Sequence, residues 1–273
     1  MLKQRILTAL ILGVILVSII FSGSEMLFAL LMAFTVLFAA WEWAGLCNIQ
    51  HGPSRILYAA IVTGLVILFY FALYPPWTES VYTFGTVWWS IAVIMVIYFQ
   101  NGRKAIPENR FLQYLMGCCV LLPAALSLIY LYESDNGQYS VLMFFILIWI
   151  VDSSAYFVGR QWGKKRLADQ VSPGKSWEGF FGSLLAAGLL AVIYTYIKGI
   201  TGVGSLWLII LFVITAGFSV IGDLFESMFK RHVNLKDSSQ LLPGHGGVLD
   251  RIDSLTAAAP VFMLGLWILE GRI

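Results

Sequence analysis

The sequence predicts an all-α, polytopic integral membrane protein of about nine transmembrane helices with its active site at the cytoplasmic face. Three observations predict it. Of 273 residues, 59% are hydrophobic and only 12% charged, about half the charged fraction of a typical soluble domain, and the mean hydropathy is +0.83. Apolar runs recur at lengths close to the roughly 20 residues that a helix needs to cross the hydrocarbon core. The basic residues, finally, gather on one side of the layout that these runs define.

Taken in order, the spans fall near 6–24, 26–46, 56–75, 87–99, 111–132, 139–158, 179–197, 205–225 and 255–271. Residues 22–25 are a very tight turn, which makes the first two spans a helical hairpin. Lys3 and Arg5 before an Ile/Leu run resemble a secretory signal, but no A-x-A site follows, so the segment reads as an uncleaved first helix. The fourth and ninth spans are short at their strict apolar core. Cys47, Cys118 and Cys119 form no spaced framework and read as packing residues. The three histidines lack metal-ligand spacing, which argues against zinc hydrolase chemistry.

Nine spans place 15 of the 17 lysines and arginines on one side, leaving Lys198 and Arg272 opposite with Glu25, Glu79, Glu133, Asp135 and Glu270. The positive-inside rule then sets the amino terminus in the cytoplasm and the carboxyl terminus outside. An even number of helices would destroy this asymmetry. The chain reads as a single membrane domain, 1–273, in which residues 1–150 carry no diagnostic motif and 151–273 carry the candidate catalytic helices and loops. Two polar segments, 152–178 and 226–254, share the cytoplasmic face.

Between Ser227 and Asp253, Lys230, Arg231, Lys236 and Arg251 alternate with Asp237, Asp250 and Asp253 around Pro243-Gly244-His245-Gly246-Gly247. Cations and carboxylates in a glycine-bent loop suit a polyphosphate and the divalent metals that neutralise it; a solvated loop is the alternative. The glycines of this turn, Gly244, Gly246 and Gly247, allow positive φ and bring N–H groups against an anion. His245 either donates to phosphate, or shuttles a proton, or braces the loop. Asp223 ends an apolar run beside Gly222, where a carboxylate is kept for function or is paired, with Lys230 or Arg231 as candidate partners. Glu226 and Lys230 stand at i, i+4, the spacing of a helix-surface ion pair. Asp250 and Asp253, at i, i+3 on the opening turn of the ninth helix, share one face near the positive end of its dipole. Capping explains one aspartate; three carboxylates at one membrane face, without histidine, favour magnesium.

The earlier polar segment holds Asp152, which follows an apolar run as Asp223 does, and Ser172-Pro173-Gly174-Lys175-Ser176-Trp177-Glu178-Gly179. Gly-Lys-Ser is not a P-loop: the preceding glycine is at the wrong spacing and no strand is expected. Lys175 is expected to reach phosphate, while Ser176 and Glu178 start the seventh helix, Ser176 as its N-cap. Arg160, Lys164, Lys165 and Arg166 suit anionic lipid head groups.

The run Ser227-x-x-Lys230-Arg231-x4-Lys236-Asp237-x4-Leu242-Pro243-x-His245-Gly246-Gly247-x-x-Asp250-Arg251-x-Asp253 resembles the signature of phosphatidate cytidylyltransferases, the CDP-diacylglycerol synthases, of the bacterial type. Ser172 to Gly179 resembles a second family segment, with Gly174 and Lys175 where many members have two lysines, so a role for the first lysine does not carry over. The resemblance implies transfer of the cytidylyl group of CTP to phosphatidic acid, giving CDP-diacylglycerol and pyrophosphate. It implies Asp223, Asp250 and Asp253 as holders of Mg2+ at two divalent-metal positions, with Lys236 and His245 catalytic beside them. Ser172, Lys175, Lys230, Arg231, Gly246, Gly247 and Arg251 are the expected substrate contacts. The implied partners are CTP, phosphatidic acid in the bilayer and anionic lipids, with no nucleic acid; a homodimer is left open. The implied location is the inner (plasma) membrane. A CDP-alcohol phosphotransferase is disfavoured because its D-G-x-x-A-R pattern is absent. A CTP-dependent, polyprenol-type lipid kinase would transfer the γ-phosphoryl group instead. An ion-coupled transporter using Asp152 and Asp223 would carry matched charges in inverted halves, which the sequence lacks.

Overall fold

The computed structural model describes residues 2–49, 51–72 and 78–271. Its elements are α1 (Leu2–Phe21), α2 (Glu25–Leu46), α3 (Gly52–Ala72), α4 (Thr78–Gln100), α5 (Arg110–Glu133), α6 (Gly137–Trp162), β1 (Arg166–Ala168), β2 (Ser172–Ser176), α7 (Trp177–Lys198), α8 (Gly202–His232) and α9 (Leu249–Glu270). Among the described residues, α2 to α9 are each long and apolar enough to cross a membrane, and α1 contributes a shorter apolar stretch, Ile6–Phe21. The expected all-α membrane class holds. Residues 73–77, which include the last three of the expected third span, and Arg272 lie outside the described residues.

Two segments depart from expectation. The stretch 226–254 was read as polar from its first residue, yet α8 continues through it to His232. At 1.5 Å per residue its 31 residues reach about 46 Å, more than a bilayer core requires. The extra turns are polar but keep helical pairing: Ser227 Oγ donates to Asp223 Oδ1 (3.2 Å) and Lys230 Nζ meets Glu226 Oε1 (3.1 Å). The segment 152–178, expected to be without strands, contains an antiparallel hairpin of β1 and β2. Gly174-Lys175-Ser176 lies inside β2, so it is not the loop after a strand that a P-loop requires.

Within a bilayer, helices associate through close packing more than through the hydrophobic effect, and small residues permit it. A side chain at Gly222 of α8 would overlap the carbonyl oxygen of Asp253, so α9 lies directly against α8 there. Gly85 of α4 is pressed by Pro123 of α5 and Pro260 of α9, each 2.7 Å from where a Cβ would stand. Aromatic rings from three helices fill the centre: Phe225 lies 5.4 Å from both Trp89 and Phe229, and Phe229 lies 4.7 Å from Trp43. Outward faces such as Leu10, Val14, Phe181, Leu185 and Leu189 remain apolar and exposed, as lipid contact requires. Cys47, Cys118 and Cys119 are free thiols; burial pushes the Cys47 thiol up to about 12, leaving it inert.

Candidate active site

The polar ends of α8 and α9 meet the β hairpin in one cluster. Lys175 projects from β2 to Asp223 at 2.7 Å. Ser176, the next residue, turns inward and accepts from Gly179 N (3.1 Å), so the N-cap expectation for it holds. Glu178 instead reaches back to the backbone N–H groups of Lys164 and Lys165. Asp253, brought alongside by the contact at Gly222, feels the charges of Asp223 and Lys175. Asp152 of α6 feels the same two and lies 3.5 Å from Ser254 Oγ. Of these three carboxylates, Asp223 alone pairs with the lysine of the hairpin; Asp152 and Asp253 meet Ser254 through its Oγ and its N–H.

Deeper in the protein, Lys230 is bound to Asp250 (2.7 Å) and Glu226 (3.1 Å), with all three side chains under a tenth exposed. Lys230 was expected to contact substrate; in this structure its charge is engaged internally. Asp250 accepts three further groups, the backbone N–H of Gly247 (2.8 Å), the backbone N–H of Ser238 (3.0 Å) and Ser238 Oγ (3.0 Å). The N–H of Gly247 therefore points at protein. Gly246 (φ +81°) and Gly244 (φ +77°) adopt the left-handed conformation expected of this turn, and a Cβ on Gly246 would stand 2.8 Å from Asp250 Oδ2. The turn closes on itself through Leu242 N to Gly246 O (2.8 Å) and His245 N to Leu242 O (2.9 Å).

Beside this turn opens a cavity of about 680 Å3, lined by Lys236, Gly246, His245 and Arg251 among others. The side chains of Lys236 and Arg251 make no hydrogen bond or ion pair within the described residues, and the buried Nδ1 of His245 has no partner there. Arg231 does not join them: its Nε donates to Val171 O (3.2 Å), which ties α8 to the hairpin. Ser172 opens β2 and is half-buried.

Carboxylates dominate the cluster. Asp152, Asp223, Glu226, Asp250 and Asp253 face Lys175 and Lys230, with Arg251 at the edge. Acidic groups this deep need further positive charge. Among the described residues no three or more His, Cys, Asp or Glu converge as a complete protein cage for a metal. Carboxylate oxygens without histidine or cysteine are the donors that a hard divalent cation takes.

One contributor was missed by sequence reasoning. Glu42 of α2 is 1% exposed, and accepts from Val248 N (2.9 Å), Leu249 N (2.6 Å), Ser238 Oγ (3.1 Å) and Ser239 Oγ (2.5 Å). A carboxylate inside an otherwise apolar span, four residues before its end, was the signal available, because charge within such a span is a functional-site hypothesis by default. Gln100 of α4 is a second, smaller case, accepting from Gln170 N (3.0 Å) at the tip of the hairpin.

The chain matches the cytidylyltransferase family across residues 3–269. It belongs to that family. It is 38% identical to a phosphatidate cytidylyltransferase of Haemophilus influenzae, over 96% of this chain and 97% of that protein. A Pseudomonas aeruginosa protein of the same name is 41% identical over 98% of this chain and 97% of its own length. One from Bacillus subtilis is 31% identical over 97% and 98%. The family match begins well before the polar cassette, so this cytidylyltransferase shares its amino-terminal helices with the family as well, Glu42 included in the matched range.

Proposed function

We propose that this protein transfers the cytidylyl group of CTP to phosphatidic acid at the cytoplasmic face of the membrane, releasing pyrophosphate and leaving CDP-diacylglycerol in the bilayer. The observation that carries the reading is the junction of two features. A cavity of about 680 Å3 with cationic walls, within the usual size range of small-molecule sites, adjoins the acid-rich ends of α8 and α9. The first suits a nucleoside triphosphate; the second lies where a lipid phosphate arrives with its chains still between helices.

The lipid phosphate is already an anionic nucleophile, so no strong base is needed. One of its oxygens forms a bond to the α-phosphorus of CTP. The bond from that phosphorus to the bridging oxygen breaks, and pyrophosphate leaves with the electron pair. The barrier is chiefly electrostatic, since two polyanions must meet and a third must depart. Lys236 and Arg251 neutralise the triphosphate from the cavity wall, and His245 offers Nδ1 to a phosphate oxygen. Lys175 exchanges Asp223 for substrate phosphate. Asp223, Asp250 and Asp253 are the residues that would hold magnesium, Asp250 only by releasing one of its present donors. Held there, magnesium would supply positive charge to the departing pyrophosphate. Catalysis by residues 151–273 within one membrane domain is part of this reading.

Purified protein incubated with phosphatidic acid, magnesium and α-labelled CTP should move label into extracted lipid and release pyrophosphate. Release of CDP with a newly phosphorylated lipid would replace the reading with a lipid kinase. Ion uptake without CTP turnover would replace it with a transporter. Cysteines placed at the exposed Gln240 and Asp135 should react with an impermeant probe from the inside and the outside respectively; the reverse overturns the orientation.

A further inference from the structure

We propose that Glu42 is a positioning residue for the nucleotide, holding both ends of the loop that walls the CTP cavity; the proposal rests on the cytidylyl-transfer reading above. Every helix start leaves backbone N–H groups without intrahelical partners. Ser24, Asn109 and Ser176 serve α2, α5 and α7 as N-caps with their own side chains. The N-cap of α9 is Val248, whose side chain accepts nothing. The acceptor comes instead from α2, more than 200 residues away in sequence: one oxygen of Glu42 takes Val248 N and the other Leu249 N.

Two consequences follow from this placement. A helix start is ordinarily a ready site for an anion, but a buried carboxylate already fills this one, so substrate phosphate is directed to Lys236, His245 and Arg251 on the cavity side. The same carboxylate also binds Ser238 Oγ and Ser239 Oγ, at the far end of the loop. Residues 238 to 249 are therefore closed into a ring through a side chain that touches no substrate. Asp250 seals the ring from inside through Gly247 N and Ser238 N. Gly247 has no room for a side chain, since a Cβ would collide with Ser238 Oγ and come within 2.6 Å of Glu42 Oε1. His245 and Gly246, which line the cavity, sit on the free arc of this ring.

Loss of the clamp should loosen the nucleotide wall and spare the lipid side. Glu42→Gln presents an amide N–H to groups that are themselves donors, and should raise KM for CTP roughly tenfold or more, the loss expected for hydrogen bonds to a charged acceptor. KM for phosphatidic acid should stay within about twofold of wild type, the size of a change that leaves binding essentially intact. Glu42→Asp keeps the charge and should recover part of the CTP effect. Ser239→Ala should give a smaller rise in the same constant. Hydrogen exchange over 238–249, measured without substrate, should quicken in Glu42→Gln. A Glu42→Gln enzyme with wild-type KM for CTP, or with unchanged exchange in that loop, overturns the proposal even if its melting temperature falls. If Glu42→Gln does not fold, unchanged CTP constants in both Ser238→Ala and Ser239→Ala overturn it instead. A wild-type protein that never turns over CTP sinks the cytidylyl reading, and the exchange measurement then decides the clamp on its own.

Discussion

Three ion pairs in this protein have the same N–O distance, 2.7 Å, and nothing else in common. Lys104–Glu108 lies in the connection between α4 and α5 with side chains 87% and 81% exposed. Lys175–Asp223 is 25% and 31% exposed, and Lys230–Asp250 is 9% and 5% exposed. What separates the three is burial alone, from solvated to partly exposed to enclosed. In water an ion pair of this length is worth little, because solvent competes for both charges. In the interior, breaking it strands a charge, so it persists only where neighbouring hydrogen bonds complete it. Under the proposed cytidylyl transfer, the intermediate case would hold Lys175 in place yet let substrate phosphate compete for it.

The largest effect should come from the buried pair. Lys230→Ala leaves Glu226 and Asp250 without their cation and should destabilise the protein by about 3–5 kcal/mol, read as a fall in melting temperature or failure to purify as a monodisperse species. A stable Lys230→Ala enzyme that has lost only affinity for CTP would reassign Lys230 to the substrate. Next is Lys175→Ala, which should cost about 2–4 kcal/mol of transition-state stabilisation with an unfolding midpoint close to wild type. Arginine there should restore only part, because a planar fork replaces a compact ammonium. A rate change below about threefold, under ~1 kcal/mol, would make the hairpin a structural cover. Arg231→Ala removes one donor to Val171 O and another to Leu235 O. It should lower stability by about 1 kcal/mol and leave the CTP constants unchanged; a rise in KM for CTP would return Arg231 to the binding site. Lys104→Ala should change neither the melting temperature nor turnover measurably, and any clear shift in either would break the rule that burial ranks these pairs.

How much of the site was legible depended on separation along the chain. The Glu226–Lys230 pair, one helical turn apart, was readable as a pair, though its burial was not. Asp223 was recognisable as a carboxylate at membrane depth, but the partners considered for it were on its own helix. The structure chose Lys175, because Gly179 of α7 packs against Ala155 and Gly159 of α6 and so seats the hairpin over α8. Asp250 was legible as one of two acids at the start of α9; that it would gather Lys230, Ser238 and Gly247 was not. Glu42 belongs to no motif in residues 1–150, and its signal was only a carboxylate inside an apolar helix.

By itself, the sequence determined what composition and short-range spacing control: a polytopic helical membrane protein, with aspartates and basic residues concentrated around a glycine-rich turn. Hydropathy and helical periodicity are local properties, and each residue expresses them wherever its helix finally packs. Only the tertiary structure decided which lysine each carboxylate meets, which N–H groups remain for a ligand, and that a glutamate on α2 caps α9. Those outcomes depend on how closely helices approach at Gly222, Gly85 and Gly179. Such approaches are set by packing over the whole bundle, which no window of sequence contains.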